Sequence, residues 1–231
     1  MGFDWFKKKE QASAPSLEKV WEDREERIYQ SLFGQVSRGI FALSAELFTR
    51  TFGQAEIDPR WLHHGVFEFG PSADRPTWLY VTSGTSNPWE QSPEEYDPNG
   101  YSGIGSELVL ETAEPSDWAV NCLSKLLAYN ILLAHGRFGD AEPLDYGTRV
   151  PLGGPINGDS ASPIRFIVVA QPSTFPSSFQ LASGKVDLLE LVGITEAERD
   201  YAKAQGSDVL ITRLREQGRF PLTDPSRNSA V

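Results

Sequence analysis

One cysteine, three histidines and one methionine stand among 231 residues, and each shortage closes off a class of chemistry. A lone thiol, Cys122, cannot close an internal disulfide, so no oxidised framework staples this chain. His63, His64 and His135 are the whole histidine complement, and no CxxC or HExxH spacing offers a metal site. On a strand, adjacent His63 and His64 would point to opposite faces, which suits them poorly to sharing one ion. No stretch approaches the roughly 18 uninterrupted apolar residues of a membrane span. The first residues, MGFDWFKKKEQASAPS, place Asp4 inside their aromatic run and lack the apolar core of a secretory signal. Phe6 stands where a myristoylation signal carries Ser or Thr. These absences point to a cytoplasmic protein with no cofactor, no metal and no membrane attachment.

Positive charge is scarce too: 21 Lys and Arg face 32 Asp and Glu, a net charge of −11. Such a protein repels phosphate backbones and anionic lipid, which argues against nucleic acid and membrane and favours a basic protein or peptide partner. No repeat of fixed period appears, so a solenoid is excluded.

What is present can build a core, with 39% hydrophobic and 11% aromatic residues. Sixteen prolines and twenty glycines require many turns and favour a mixed fold over a helix bundle. We read residues 1–15 as a flexible N-terminal tail, 16–227 as a single domain and 228–231 as a C-terminal tail. Ser16 is placed to cap a helix whose apolar positions, Leu17, Val20, Trp21, Ile28 and Leu32, recur at three- and four-residue steps. A second helix is expected around Ala42 to Phe52. HHGVFEFG and TWLYVTSGTSNP alternate as strands, the second with Trp78, Tyr80 and Thr82 on one face and Leu79 and Val81 on the other. WEQSPEEYDPNGYSG is acidic and turn-rich, a surface loop. After a short strand at Glu107–Glu111, the run from Asp117 to His135 is apolar on most of its circumference, a helix near the centre. Residues 137–163 read as an irregular connection, IRFIVVA as a buried strand, and VDLLELV as strand or helix. Thr195 with Glu198 forms a capping box, Gly206 ends that helix, and Ser207 is expected to cap the next. Gly193 and Gly206 suit turns and helix ends, while Asp224 and Arg227, three apart, are expected to pair or to anchor the tail. The fold class is α+β, a central mixed and largely antiparallel sheet flanked by helices.

Catalytic signals are weak. GIGSEL holds two of the three glycines of a dinucleotide fingerprint, but it leads into a strand rather than a helix. No GxSxG elbow is present. Glu90, Glu94, Glu95 and Asp97 could supply acid and base groups for a small hydrolase together with His63 or His64, yet a polar loop leaves such carboxylates solvated. Cys122 sits among Trp118, Leu123, Leu126 and Leu127 and reads as core. Glu107 differs: it opens a strand beside two glycines, which lets another backbone approach closely.

Four stretches, WLYVTSGTSN, SGIGSELVL, DLLELVGITEAE with AQGSDVLITRL, and PLTDPSR, together resemble the suppressor of fused family in order and spacing, across roughly Tyr29 to Arg227. The resemblance implies an α/β sandwich and a non-catalytic, peptide-binding role. Animal members restrain a signalling pathway by binding a transcription-factor peptide between two domains, partly by strand addition. This chain resembles only the amino-terminal domain. By motif, Tyr80 and Glu107 match family positions at the peptide-binding surface, and Asn87 stands where animal members carry Asp. With Trp89 and Glu90, which open the acidic loop, these form the expected partner surface. Short bacterial members of the family it resembles are regarded as immunity proteins that neutralise a toxin domain, or are left unassigned. The expectation is therefore a protein-binding domain, most specifically an immunity protein, with a regulator of a transcription factor or signalling protein, or a small hydrolase, as alternatives.

Overall fold

Two twelve-residue strands, β4 (Tyr101–Thr112) and β8 (Gly184–Thr195), lie side by side in parallel at the centre of the sheet. The computed structural model describes residues 15–89 and 91–231. On the far side of β4 come β3 (Trp78–Ser83), β2 (Gly65–Phe69) and the edge strand β1 (Val36–Ala42). Beyond β8 come β6 (Ile164–Ala170) and β5 (Arg149–Pro151), and β7 (Ser178–Leu181) also pairs with β8. Every pairing except β4 with β8 is antiparallel. The mixed, largely antiparallel α+β sheet is thus as its sequence suggests.

Strand alternation sorts the core into two layers. Tyr80, Leu108, Leu110, Leu189 and Leu191 face helix α4 (Asp117–Ala134). Leu79, Val81, Val109 and Leu188 face the other way, onto an N-terminal helical arm made of α1 (Leu17–Glu22), a π-helical stretch (Asp23–Ile28) and α2 (Tyr29–Phe33). At the far end of that face, Val168, Ala170, Val192 and Ile194 meet α5 (Glu196–Gln205) and α6 (Ser207–Glu216). Helix α4 is also covered on its outer side by α3 (Ala45–Phe52) and Trp61, which accounts for its apolar circumference. Ser16 caps α1 by accepting from the Lys19 N–H, and Thr195 and Glu198 form the reciprocal capping box of α5.

Several local expectations need correction. Ala42 is the last residue of β1, and the helix begins at Ala45 behind a Ser44 cap. β1 pairs only with β2 and is exposed on both faces, so it carries no alternating pattern to read. The strand expected at Glu107 starts six residues earlier, because the glycine-rich segment pairs with β8 across an irregularity between Tyr101 and Ser106. VDLLELV is strand throughout. Ser207 lies inside α6 rather than capping it, and its hydroxyl donates to the Gly147 carbonyl at 2.7 Å. Gly193 lies inside β8, not at a turn, and a Cβ there would stand 2.6 Å from Ile164 and 2.7 Å from Thr223. Gly206 does end α5, with φ +103°. Asp224 and Arg227 do not pair through their side chains. Asp224 accepts from Ser226, whereas Arg227 forms a buried ion pair with Glu198 at 2.6 Å and donates to the Gly193 carbonyl at 2.8 Å. Residues 228–231 are packed rather than trailing: Ala230 is buried, donates to Glu198 and accepts from Arg213.

Removing one member of a buried ion pair costs about 3–5 kcal/mol. Arg227→Ala should therefore lose about that much in chemical denaturation, and the exposed Asp224→Ala less than about 1 kcal/mol. Equal losses would assign the anchor wrongly.

Glu190 on β8 is fully buried, and neither of its carboxylate oxygens has a hydrogen-bond partner among the described residues. Burial, and next the nearby Glu111 carboxylate, push its pKa well above the usual range. A carboxyl raised on folding stabilises fully below its unfolded pKa, and that stability drains away as pH rises towards the folded value. Melting temperature should accordingly decline above about pH 4.5 through this group, and Glu190→Gln should flatten the decline, by about 2–4 °C per kcal/mol relieved. A variant whose pH profile overlays the parent would refute this.

Candidate functional site

At the end of β3 the chain turns through Gly84, Thr85, Ser86 and Asn87, and Glu107 of β4 lies buried against that turn. Oε1 of Glu107 accepts from the Gly84 N–H at 2.9 Å, the Ser86 N–H at 3.0 Å and the Ser86 hydroxyl at 2.6 Å. Oε2 accepts from the Thr82 hydroxyl at 2.6 Å and meets the Thr85 hydroxyl at 2.9 Å. Burial alone would raise this carboxyl, but Arg24 and the bonds from Ser86 and Thr82 outweigh it and hold the pKa below the usual range. Arg24, 1% exposed, projects from the π-helical stretch and donates to Ser86 at 3.0 Å and to Asn87 Oδ1 at 2.7 Å. It also pairs with Glu25, which accepts from Ser83 at 2.6 Å.

Glycine is required twice. Gly84 has φ +132°, and a Cβ there would stand 2.5 Å from the His64 ring. Gly103 has φ +60°, and its Cβ would stand 2.4 Å from the Asn87 carbonyl oxygen. The close backbone approach beside Glu107 is therefore real, and the partner backbone is the 84–87 turn itself.

The outer side of this turn forms one wall of a cleft of about 840 Å³. Asn87, Trp89, Gly103 and Ile104 line it, facing Trp61, His64 and the end of α4 with the segment that follows, where Asp140 and Glu142 are exposed. Above one end, Trp21 stacks on His63 with ring centroids 6.1 Å apart and meets Trp89 edge-on at 6.0 Å. Burial drives the His64 pKa down to about 4, so the ring is neutral near pH 7.

A family model described as Suppressor of fused protein (SUFU) matches residues 60–228. The chain belongs to the suppressor of fused family. Solved structures share the fold at low identity. A chain of the Sufu–Fu complex crystal structure matches with TM-score 0.65 and 18% identity, over 95% of this chain and 93% of that one. A SUFU homologue from Neisseria gonorrhoeae matches with TM-score 0.59 and 19% identity, over 87% and 92%. Drosophila Suppressor of Fused matches with TM-score 0.57 and 20% identity, over 72% of this chain, which spans only 42% of the Drosophila one. A search of curated proteins finds no match.

In this suppressor of fused chain the residues singled out from sequence separate into three groups. Asn87 and Trp89 line the cleft. Glu107 and Tyr80 are fully buried and have no surface to offer: Glu107 holds the cleft wall from behind, and the Tyr80 hydroxyl accepts the Ser116 N–H at 2.7 Å before α4. Glu90 and residues 1–14 lie outside the described residues. Among the described residues no hydrogen bond or ion pair joins His63 or His64 to Glu94, Glu95 or Asp97, which are exposed. No group of three or more metal-ligating side chains occurs among the described residues, and no helix there is long and apolar enough to cross a membrane. Cys122 is buried, with its pKa pushed up to about 12.

Arg24 escapes a sequence reading because WEDREER looks like a solvated acidic face. Its signal is spacing: Val20, Arg24 and Ile28 stand four apart on the buried side.

Glu107→Gln exchanges an acceptor for a donor opposite five donors and should cost about 3–5 kcal/mol in denaturation experiments. A loss under about 1 kcal/mol would show that the turn does not depend on the charge. On acidification, His64 removes stability as pH falls from 6.5 towards about 4, since the unfolded chain binds that proton first. Glu107 adds a second loss further into acid, because its folded pKa is depressed. His64→Phe should flatten the first limb of the melting profile and leave the second.

Proposed function

We propose that this chain is a non-catalytic protein-binding domain, that the 840 Å³ cleft beside the Ser83–Trp89 turn is its partner surface, and that its specific task is to neutralise a basic toxin domain. The observation that carries the binding reading is the cleft itself. Its wall is braced by a buried charge, and Asn87 and Trp89 line it. Tyr80 and Glu107 serve binding through what they hold in place, not by touching the partner. Likeness to a chain of a Sufu–Fu complex supports a protein as the bound species.

A basic partner follows from electrostatics. The net charge is −11, Asp140 and Glu142 are exposed on the cleft, and Glu94, Glu95 and Asp97 are exposed on the loop beyond Trp89. Complementary charge of this kind accelerates encounter and weakens with salt. Many toxin nucleases are basic, which is the ground for immunity over regulation of a transcription factor or signalling protein.

The test is capture with the intact chain as bait, in cells of the source organism, followed by assay of the captured protein's activity with and without the domain. A basic partner whose toxicity is suppressed is expected. The double reversal Asp140→Lys with Glu142→Lys should weaken affinity at least tenfold at low salt and less at high salt. Capture of no protein, or capture without any effect on the partner's activity, overturns the immunity assignment.

A further inference from the structure

We propose that the cleft recognises an uncharged carbonyl group of an extended peptide segment, through two hydrogen-bond donors that no described residue of the domain satisfies. This rests on the protein-binding reading above and names the group recognised. The donors are the side-chain amide of Asn87 and the indole N–H of Trp89.

The orientation of the Asn87 amide is fixed by its partners. Trp21 Nε1 donates to one end of it at 2.9 Å, and Arg24 donates to the same end at 2.7 Å. Both groups can only donate, so that end is the oxygen. Neither Trp21 nor Arg24 lines the cleft, whereas Asn87 does. The nitrogen is thus the polar end left for the cleft. It is buried, in a residue only 3% exposed, and has no hydrogen-bond partner among the described residues. Trp89, two residues on in the same wall, has its indole nitrogen equally buried and, among the described residues, equally without a partner. Buried N–H groups are almost always satisfied, and two orphans in one cleft wall mark the place of an acceptor from outside.

Charge narrows the acceptor. An ammonium or guanidinium only donates and cannot serve these two groups. A carboxylate could, but it would have to enter a protein of net charge −11 past Asp140 and Glu142 on the same cleft. Of the cations nearby, Arg24 behind the wall is paired with Glu25 at 2.8 Å and acts on the buried Glu107. His64 in the wall is neutral above about pH 4, and Arg60 is engaged by the Asp58 carboxylate through bonds of 2.6 and 2.9 Å. A peptide carbonyl is neutral and has two lone pairs, one for each donor. A basic segment therefore fits with its side chains towards the acidic rim and a main-chain carbonyl towards Asn87 and Trp89.

The experiment is a ¹H–¹⁵N NMR titration of the intact ¹⁵N-labelled chain with N-acetylglycine N-methylamide, and in parallel with sodium acetate and methylammonium chloride. The Trp89 indole N–H and the Asn87 side-chain NH₂ resonances, assigned through Trp89→Phe and Asn87→Asp, should move downfield and saturate with the amide and stay in place with methylammonium. Asn87→Asp keeps the oxygen that Trp21 and Arg24 require, so the fold is retained, as the rest of the spectrum verifies. It removes the donor and should weaken the amide response of Trp89 at least fivefold. The proposal is overturned if neither resonance moves with the amide, or if acetate moves them more strongly. It is also overturned if a captured protein partner binds Asn87→Asp and Trp89→Phe as tightly as the parent, a result that leaves the protein-binding reading standing. Failure to capture any partner would instead sink that reading while the titration still reports on the two donors.

Discussion

A single buried carboxylate, Glu107, sets the shape of the region around it. A charge removed from water is tolerated only when its lone pairs are met, and meeting them dictates where the donors must stand. Two backbone N–H groups and three hydroxyls converge on it from Thr82, Gly84, Thr85 and Ser86, which leaves the 84–87 turn little freedom. The turn then fixes Asn87, Asn87 fixes Trp21, and Arg24 ties the N-terminal arm to the same cluster. The outer wall of the cleft is in this sense the far side of an interior electrostatic requirement.

The same device recurs wherever a peripheral element meets the sheet. Arg38 on the edge strand β1 holds the buried Glu68 of β2 through bonds of 2.6 and 2.8 Å, and Arg227 near the C-terminus holds Glu198 through bonds of 2.6 and 2.7 Å. The carboxylate sits on the strand β2 in one case and in the first turn of α5 in the other, and the guanidinium belongs to a segment with little apolar surface of its own to bury. Broken pairs of this kind are costly even where intact ones contribute little net energy, so they specify attachment more than they add stability. Glu111 and Glu190 fall outside this scheme, since no ion pair among the described residues reaches either. Glu111 is held by the Thr77 and Thr174 hydroxyls instead, and its pKa is raised, chiefly by burial.

Legibility in the sequence followed how locally each feature was caused. The capping box at Thr195, the apolar helix α4 and the alternation of β3 depend on neighbours three or four residues away or on strand parity, and each can be read directly. The strand β1 cannot, because an exposed edge imposes no pattern. Among the residues in and behind the cleft wall, Asn87 and Trp89 are reachable by motif and composition, while Arg24 behind it and the helix-end residues opposite come to it only through contacts more than forty residues apart in the chain. Glu107 shows the subtler limit. Of the two glycines before it, Gly103 does mark a close backbone approach while Gly105 meets the Tyr101 side chain, but the approaching backbone belongs to the chain itself, and a motif cannot distinguish an internal neighbour from a bound one.

The separation between what charge does and what the cleft wall does follows from range. Exposed carboxylates act over about a Debye length, roughly 8 Å at physiological salt, so they select a partner by the sign of its charge before contact. The polar groups of Asn87 and Trp89 act only within about 3 Å and discriminate by donor and acceptor chemistry after contact. Among the described residues around this wall, His64 is kept neutral by burial, Arg60 is bound to Asp58 and Arg24 to Glu25. On the proposed reading, an acidic domain would meet a basic partner at this cleft with neutral donors, and the part of the partner best matched to them would be its main chain rather than its charge.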